Sequence, residues 1–439
     1  MSDAVHGTPI DEEARANLAE QGLRFTLLKS GDGTFEPWFQ AMGRGFYGAI
    51  VDSEVIPSRA EGFAHRRLSG IYDDTLDDAP SPVATASSWL ADLTVPGERS
   101  IPTWAISTIT VAPTHRRRGI ARNMMEAELR TASALGVPAA ILTASEATIY
   151  ERFGFAPAAM RADWTIDTTK GKWAGPIPNG RVQLVTTEQG RDGGGHAIFD
   201  RARLGIPGEM YFEGHLWRRL FGMPGREDPK DLRVVRYDDA DGVPQGLAIY
   251  KVTHSRDFSG DVAEVAYLTT ATDDAYAALW RYLVELDLVD KVEAPLRSVD
   301  EPVRWQLTDS RAAVENRVGD HLWLRVLDVK ATLEARRYNA PGAFVLELDD
   351  PLGFADSSWL LTIDDAGKAV VAKLSGGGSS DGKHRLAMNI RDLGAIYLGG
   401  TSVATLVRAG RIVEKAQGSA SAADAAFRSA VTPWLSTWF

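Results

Sequence analysis

The sequence predicts an α/β (α+β) protein that is organised as three consecutive units. With 439 residues the chain is longer than one compact core usually supports, and this length favours two or three domains. Strand patterns alternate with amphipathic helical patterns through the first two units, whereas short strands separated by turn residues dominate the third. The segment KGKWAGPIPNG at 170–180 is dense in Gly and Pro, which is typical of a linker.

The first unit, residues 1–172, alternates strands with helices. Its expected elements are, in order, a strand at 23–28, a helix at 36–47, strands at 83–95 and 103–111, a helix at 116–135, a strand at 139–144, a helix at 149–152 and a strand at 162–166. Gly136 ends the long helix, because glycine adopts the left-handed conformation that closes a helix. The pattern is that of one α/β domain.

The second and third units, residues 173–318 and 319–439, have different patterns. The second repeats the order of the first loosely, with a strand at 181–185, helices near Ala197 and His215, three strands between 232 and 270 and a helix at 273–288. The third begins with the strand HLWLRVL and the helix VKATLEARRY, continues with the strands FVLEL, WLLTI, AVVAKL and RLAMNI, and ends in two helical patterns and the aromatic tail TPWLSTWF. It is expected to be a helix-backed sheet.

Composition excludes several classes of function. A formal net charge of -11 argues against a nucleic-acid or anionic-membrane surface and favours a cationic partner. The absence of cysteine excludes disulfides, thiolate metal sites and a cysteine nucleophile. The eight histidines are scattered, so that no metal site is expected. The N-terminus lacks a signal-peptide pattern and no apolar run spans a membrane, which predicts a cytoplasmic protein.

The stretch ISTITVAPTHRRRGIARNMMEAEL at 106–129 carries the clearest chemical signal. A β-branched strand breaks at Pro113, and Gly119 opens a long helix. A helix start offers unpaired N–H groups and a positive dipole end, so that main chain can bind a diphosphate while the small residues Gly119 and Ala121 allow its approach. The alternative interpretation of THRRRG is a solvated basic helix end.

This stretch resembles the pyrophosphate loop of the GCN5-related N-acetyltransferase superfamily, in which Arg116, Gly119 and Ala121 match the motif. The resemblance implies acetyl-coenzyme A as cosubstrate and a preceding strand that splays from its neighbour to pair with pantetheine and polarise the thioester. The residues it assigns to the donor are Ile109, Thr110, Val111, Arg116, Arg117, Arg118, Gly119, Ile120, Ala121 and Arg122.

A second motif, IYERFGFAPA, follows some thirty residues later. The superfamily often has a Tyr followed four residues later by Gly and an aromatic residue, and Tyr150, Gly154 and Phe155 fit this pattern. The resemblance assigns Tyr150 the protonation of the leaving thiolate, a task that a phenol hydroxyl can perform. Its alternative is a core aromatic. Ser145 and Glu146, just past a strand end, are assigned to the donor groove.

Within the superfamily the chain resembles the enhanced intracellular survival (Eis) acetyltransferases nearly from end to end, most clearly in VAPTHRRRG and ASEATIYERFGF. That family has two tandem acetyltransferase folds, the first active and the second degenerate, followed by a sterol-carrier-like domain. In agreement, the second unit has ATDDA where a phosphate loop belongs, and its Asp273 and Asp274 would repel pyrophosphate.

The same resemblance assigns the acceptor site. It implies that the terminal carboxylate, here that of Phe439, returns to the first domain to accept the proton of the amine, although an α-carboxylate is a weak base unless burial raises its pKa. Trp438 precedes it, and Trp38, Phe46 and Trp89 are candidates for the wall of the acceptor cavity, with core packing as their alternative. A homohexamer is implied.

The sequence therefore predicts an acetyl-coenzyme A dependent N-acetyltransferase that works by direct attack of an amine in a ternary complex. Family resemblance makes aminoglycoside-type polyamines, acetylated at several positions, the leading acceptors and lysine side chains of proteins or peptides the alternative. A non-catalytic acyl-coenzyme A or lipid-binding protein is the alternative from another class. The match to a hydrolase motif at 378–382, GSSDG, is rejected because it lies in a Gly/Ser run without strand-turn-helix context.

Overall fold

The computed structural model describes residues 2–76, 81–212, 214–222, 229–255, 260–374 and 384–439. The strands are β1 Leu23–Leu28, β2 Arg67–Asp73, β3 Ala84–Val95, β4 Arg99–Val111, β5 Ala139–Thr143, β6 Ala156–Asp167, β7 Arg181–Val185, β8 Arg233–Asp238, β9 Pro244–Thr253, β10 Asp261–Thr270, β11 Val289–Arg297, β12 Ala313–Val326, β13 Gly342–Asp349, β14 Ser357–Ile363, β15 Ala369–Lys373, β16 His384–Asn389 and β17 Ile412–Glu414.

The helices alternate with these strands, and the α/β class expected from the sequence is confirmed. They are α1 Ser2–Gly7, α2 Glu12–Ala19, α3 Phe35–Gly45, α4 Ile56–Phe63, α5 Ile120–Ala134, α6 Ala147–Tyr150, α7 Thr187–Gly190, α8 His196–Arg203, α9 Gly214–Arg219, α10 Asp273–Val284, α11 Val329–Ala335, α12 Ile390–Tyr397, α13 Val403–Arg408 and α14 Ser419–Phe427. None of the described helices is both long and apolar enough to cross a bilayer.

Two similar halves share one sheet. Within the described residues a 12-stranded sheet has the order β1-β2-β3-β4-β5-β12-β6-β11-β10-β9-β8-β7. Each half consists of antiparallel neighbours that end in one parallel pair, β4 with β5 and β10 with β11. Strands β6 and β12 pair antiparallel with each other at the centre and join the halves. The sheet therefore repeats one strand pattern on either side of its middle, as the loose echo in the sequence predicts.

Strand β12 corrects the predicted start of the third unit. The sequence pattern places the stretch HLWLRVL in the sheet of that unit, but His321–Val326 lies in the large sheet between β5 and β6. Its described side chains are buried on both faces of the strand, so that no alternation of polar and apolar residues indicates which sheet it joins. The smaller sheet, in the order β15-β14-β13-β16-β17, begins only at β13.

A buried ion pair fixes the third unit to the first. The Arg325 guanidinium on β12 contacts both carboxylate oxygens of Asp350 at 2.7 and 2.8 Å, and both side chains are fully buried. Its Nε donates to the carbonyl of Phe153 at 2.8 Å. Gly154 lies beside it with a φ of +83°, and a Cβ there would be 2.6 Å from the same Nε. The glycine of the second motif therefore provides space for Arg325.

Three strands escape the sequence patterns: β2, β11 and the short β17. β2 (RLSGIYD) includes Ser and Gly, which are uncommon in strands, although it is almost entirely buried. β11 (VDKVEAPLR) carries charges and a proline. β6 is longer than expected and extends from Ala156 to Asp167 because it pairs with both β11 and β12. β2 and β11 have weak local β-strand propensity and are stabilised instead by pairing with strands that are distant in the sequence.

Candidate active site

Strand β4 has a bulge at the point where it separates from its parallel neighbour. Thr110 pairs with Thr85 and Ser107 with Ser87, so that two residues of β4 oppose one of β3. Thr108 in this bulge has a φ of +55°, and its carbonyl accepts a 2.9 Å hydrogen bond from Thr85 Oγ1. Threonine rarely adopts this conformation, which marks the bulge as a constrained feature.

The parallel contact between β4 and β5 is short. Residues 103–105 of β4 pair with residues 139–141 of β5. Both strands continue beyond this point, but they no longer pair with each other. The edge of β4 that includes Ile109, Thr110 and Val111 therefore has no β5 partner. Main-chain groups along such an edge are available to an extended ligand.

A cavity of about 640 Å³ occupies the space beside this opening. Its wall combines the bulged part of β4 with the residues after β5, the paired strands β6 and β12, and the end of the chain. Six residues predicted to be functional line it: Phe46, Ile109, Ser145, Tyr150, Trp438 and Phe439. Residues predicted for the donor site and for the acceptor site thus share one cavity, although Phe46 and Phe439 are 393 positions apart in the sequence.

The loop before α5 has an open helix start. Gly119 is the N-cap residue with a φ of +75°, and no side chain caps the helix. The nearest atom to a Cβ at Gly119 would be 3.8 Å away, so the glycine is needed for its conformation rather than for space. The first N–H groups of α5 remain available to an anion. This arrangement fits a pyrophosphate group.

The side chains of the loop have different surroundings. Ile120 is 2% exposed and packs in the core, so that only its main chain can meet a ligand. Arg118 donates to the carbonyl of Gln21 at 3.1 Å, and Arg122 pairs with Glu126 at 2.8 Å. Arg116 and Arg117 are exposed, and Ala121 is partly exposed.

Tyr150 lies at the end of α6 with only 7% of its surface exposed. Burial raises the pKa of its hydroxyl, against a hydrogen bond with Ser145 that lowers the pKa. The phenol therefore keeps its proton at neutral pH, as a proton donor must. Glu146, assigned to the same groove, is the N-cap residue of α6 and lies outside the cavity lining.

The last residues of the chain cross from the third unit to the first as an irregular segment. Trp434 donates from its main-chain N–H to the carbonyl of Pro207 at 2.8 Å and from Nε1 to the carbonyl of Leu296 at 2.7 Å. The amide of Ser436 donates to the buried Glu209 carboxylate at 3.2 Å. These three hydrogen bonds hold the tail against the second unit.

The final three residues contact strand β5, β12 and helix α9. His321 Nε2 donates to the carbonyl of Thr437 at 2.8 Å, and Arg219 donates to the carbonyl of Trp438 at 2.6 Å. Thr143 Oγ1 donates to the terminal oxygen of Phe439 at 3.2 Å. The main chain of Phe439 is thereby brought to the end of β5, beside the opening in the sheet.

Two of the predicted cavity aromatics are core residues. Trp38 is fully buried among phenylalanines, and its Nε1 donates to the carbonyl of Ser69 at 2.8 Å. Trp89 is 1% exposed and supports the ring of Phe439 edge to face, with centroids 5.4 Å apart. Because a tryptophan on a helix or strand has the same local pattern in a core as in a cavity, the sequence did not separate these roles. Phe46, by contrast, is 53% exposed.

The second half has a similar opening without the open loop. β10 is bulged near Ala266, and its pairing with β11 ends at Glu264. At the start of α10 the Thr272 side chain accepts a 3.1 Å hydrogen bond from the amide of Ala275, and Asp273 follows in the first turn. A cavity of about 1030 Å³ lies here. The Thr272 side chain already accepts a hydrogen bond from the helix start, and the negative charge of Asp273 would repel a phosphate there.

Several residues at the site escaped sequence reasoning. Arg161, Arg317 and Asp320 line the cavity from β6 and β12, while Thr143 and His321 hold the tail. Only Thr143 lies at the end of its strand, whereas the other four lie in the interior of β6 and β12, where no local sequence pattern indicates the cavity. Pairing between strands far apart in sequence creates this proximity. Among the described residues no group of three or more His, Cys, Asp or Glu side chains is arranged to hold a metal ion.

Comparison with protein-family models gives three matches along the chain. Residues 29–158 and 213–326 match two models described as acetyltransferase (GNAT) domains. Residues 329–436 match a sterol carrier protein domain. The predicted order of two such folds and a sterol-carrier-like domain is confirmed. The GSSDG stretch at 378–382 lies outside the described residues.

Relatives align with most of the length of this chain. An uncharacterized N-acetyltransferase of Streptomyces avermitilis is 33% identical over 415 residues, which cover 92% of this chain and 96% of the relative. The N-acetyltransferase Eis of Mycobacterium tuberculosis is 35% identical over 351 residues, 77% of this chain and 81% of that protein. The crystal structure of Eis1 from Mycobacterium abscessus superposes with a TM-score of 0.80 at 29% identity and covers 95% of this chain and all of that one.

Proposed function

Because the chain belongs to the Eis family of N-acetyltransferases, we propose that it transfers the acetyl group of acetyl-coenzyme A directly to a primary amine, with the residues of the β4–β5 opening as the active site. The observation that carries this proposal is the meeting of a buried phenol, Tyr150, and the terminal carboxylate of Phe439 in one cavity beside the opening. One supplies a proton and the other accepts one.

The donor side uses main chain. The open N-terminus of α5, entered through Gly119, would bind the pyrophosphate of acetyl-coenzyme A, and the exposed Arg116 and Arg117 would add charge. The free edge of β4 from Ile109 to Val111 would pair with pantetheine. Amide groups on that edge would then polarise the thioester carbonyl and stabilise the oxyanion that forms on attack.

The acceptor side completes the balance of atoms and protons. The neutral amine forms a C–N bond to the acetyl carbon, the C–S bond breaks, and the departing thiolate takes the proton of Tyr150. The amine proton passes to the Phe439 carboxylate, directly or through water. Solvent then reprotonates the Tyr150 phenolate and takes up the proton that the Phe439 carboxylate accepted. No covalent enzyme intermediate is required, in agreement with a chain that has no cysteine.

The acceptor class predicted from the sequence is an aminoglycoside-type polyamine, with acetylation at several amines, and lysine side chains are the alternative. The cavity accommodates a small molecule or a side chain. The alternative from another class is a binding protein without catalytic turnover. It is disfavoured because Tyr150 and the Phe439 carboxylate, the two groups proposed to transfer protons, line the same cavity. We also propose a non-catalytic role for the second half, because Thr272 caps its helix start. The homohexamer stays a prediction.

Release of free coenzyme A thiol by the purified chain tests this proposal. The reaction would include a panel of aminoglycosides, a lysine peptide and a control without acceptor. Acceptor-dependent release supports acetyl transfer, and more than one equivalent for each aminoglycoside supports multiple acetylation. Binding of acetyl-coenzyme A in calorimetry without thiol release from any amine would contradict transfer and favour the binding protein.

A further inference from the structure

Arg66, in the turn between α4 and β2, carries a buried guanidinium group, and only 6% of the residue is exposed. Burial lowers its pKa to about 9, so that the group stays charged at neutral pH. Nη1 donates to Ser87 Oγ at 3.3 Å, whereas within the described residues the buried Nε has no hydrogen-bond partner and the group makes no ion pair. A buried charge in such surroundings destabilises a fold unless its contacts offset the cost. Those contacts lead to the cavity.

The first contact of Arg66 leads to the bulge of β4. Ser87 Oγ accepts a second hydrogen bond, at 3.0 Å, from Oγ1 of Thr108, the bulge residue with positive φ. A serine oxygen has two lone pairs, so that Arg66 and Thr108 together occupy both. Thr108 lines the cavity and directly precedes Ile109 on the free edge of β4. The guanidinium therefore helps to fix the part of β4 that is proposed to polarise the thioester.

The second contact of Arg66 leads to the chain end. Trp89 lies two residues after Ser87 on β3, so that both side chains point to the same face of the strand. The guanidinium carbon of Arg66 lies 4.0 Å from the centroid of the Trp89 ring, which is a cation–π contact. The same indole meets the ring of Phe439 edge to face, with centroids 5.4 Å apart. One guanidinium is thus connected to the donor strand through a serine and to the terminal residue through a tryptophan.

We propose that Arg66 is a positioning residue for acetyl transfer, which holds the thioester edge of β4 and the terminal carboxylate of Phe439 at a productive separation. A guanidinium suits this task because it donates hydrogen bonds in its plane while it stacks through its faces. Lysine has neither the fork of donors nor the flat face. Small errors in the alignment of reacting groups reduce turnover strongly, even when the residue that causes them is outside the reacting centre. This inference rests on the proposed acetyl transfer and adds a residue that does not line the cavity.

Arg66→Met tests this role against a matched control. The variant is expected to lower kcat about tenfold, with the Kd for acetyl-coenzyme A within about twofold of wild type. Arg67→Met removes the next arginine, which is also buried but donates to the carbonyls of Thr8 and Pro9, outside the cavity. It should keep the wild-type kcat per folded molecule, and circular dichroism with urea unfolding measures the folded fraction of both variants. Equal losses of kcat in the two variants, or wild-type kcat in Arg66→Met, would overturn the proposal.

Two smaller changes identify which property of Arg66 matters. Arg66→Lys keeps the charge but loses the planar fork, and its kcat should stay within about threefold of that of Arg66→Met. Ser87→Ala removes only a hydroxyl, which keeps the test usable if Arg66→Met does not fold, and kcat is expected to fall about fivefold. Full recovery of kcat in Arg66→Lys, or wild-type kcat in Ser87→Ala, would overturn the proposal.

An extended chain end distinguishes positioning from a general loss of stability. Two glycines added after Phe439 displace the terminal carboxylate, so that in this background Arg66→Met should lower kcat less than about threefold. A loss in the extended chain as large as that in the natural chain would overturn the proposal. Absence of thiol release from the wild-type chain with every amine would instead refute the underlying transfer, and the inference with it.

Discussion

The imidazole of His321 donates a 2.8 Å hydrogen bond from Nε2 to the main-chain carbonyl of Thr437, two residues before the chain ends. His321 is fully buried on β12, and burial lowers its pKa to about 4. The ring is therefore neutral above that pH, and the tautomer with hydrogen on Nε2 fixes the tail. This contact links the centre of the large sheet to the position of the terminal carboxylate.

Loss of this hydrogen bond should weaken turnover more than donor binding. His321→Phe keeps a ring but leaves the Thr437 carbonyl without its donor, at a cost of about 1 to 3 kcal/mol. We expect kcat to fall about tenfold while the Kd for acetyl-coenzyme A changes less than about twofold. Steady-state kinetics and calorimetry measure the two. His384→Phe on β16 is the control, and equal losses in both variants would argue against a role for the tail.

The chain end itself can be displaced without altering any side chain. Two glycines added after Phe439 move the terminal carboxylate away from Thr143 Oγ1, and kcat is expected to fall about a hundredfold. The same two residues added at the N-terminus are the control. If the extended chain retains wild-type turnover, the terminal carboxylate takes no part in proton transfer.

Glu209 should make stability depend on pH. Burial raises its pKa to about 7, against hydrogen bonds from Ser436 and Met210 that lower it. Because the folded pKa lies above the unfolded value, its stabilising contribution is complete below about pH 4.5 and is lost as the pH rises through 7. Relative to Glu209→Gln, the wild-type free energy of unfolding should fall by about 3 kcal/mol between pH 4.5 and 8. Urea unfolding at both pH values measures it, and parallel profiles would contradict the assignment.

Gly154 and Gly136 distinguish two reasons why a position requires glycine, namely the conformation of its backbone and the space around it. Both have positive φ, but only a Cβ at Gly154 would meet the Arg325 side chain, at 2.6 Å from Nε, whereas Gly136 has nothing within 4 Å. Gly136→Ala should cost about 1 kcal/mol of unfolding free energy and Gly154→Ala about 1 to 3 kcal/mol more. Thermal denaturation compares them. Equal losses would show that Arg325 moves aside without cost.

Local sequence accounts for the donor side of this site. The loop around Gly119 is short, and the local pattern of a strand, a turn and a helix predicts its open helix start, whereas Tyr150 is assigned through the resemblance of its motif to the superfamily. The repeated strand order was also recognisable, because each half alternates buried strands with amphipathic helices.

The acceptor side depends on pairing that no local pattern encodes. Arg161 and Arg317 become neighbours only through the register of β6 and β12, and His321 meets the tail across 116 positions. Trp38 and Trp89 are aromatic residues of the kind that can line a cavity, but they are buried against Ser69 and Phe439, respectively. Side chains whose role depends on the distant partner they meet were therefore the ones that sequence reasoning missed or misplaced.

The most direct test of the central claim is thiol release by wild type and Tyr150→Phe with one active acceptor, measured beside the Kd for acetyl-coenzyme A. The substitution removes only the hydroxyl of a 7% exposed side chain in the cavity wall, and Tyr282→Phe in the second half is the matched control. The account predicts that Tyr150→Phe lowers kcat about a hundredfold with the Kd within about twofold of wild type. Wild-type kcat in Tyr150→Phe would contradict the assignment of this cavity as the site of acetyl transfer with Tyr150 as proton donor.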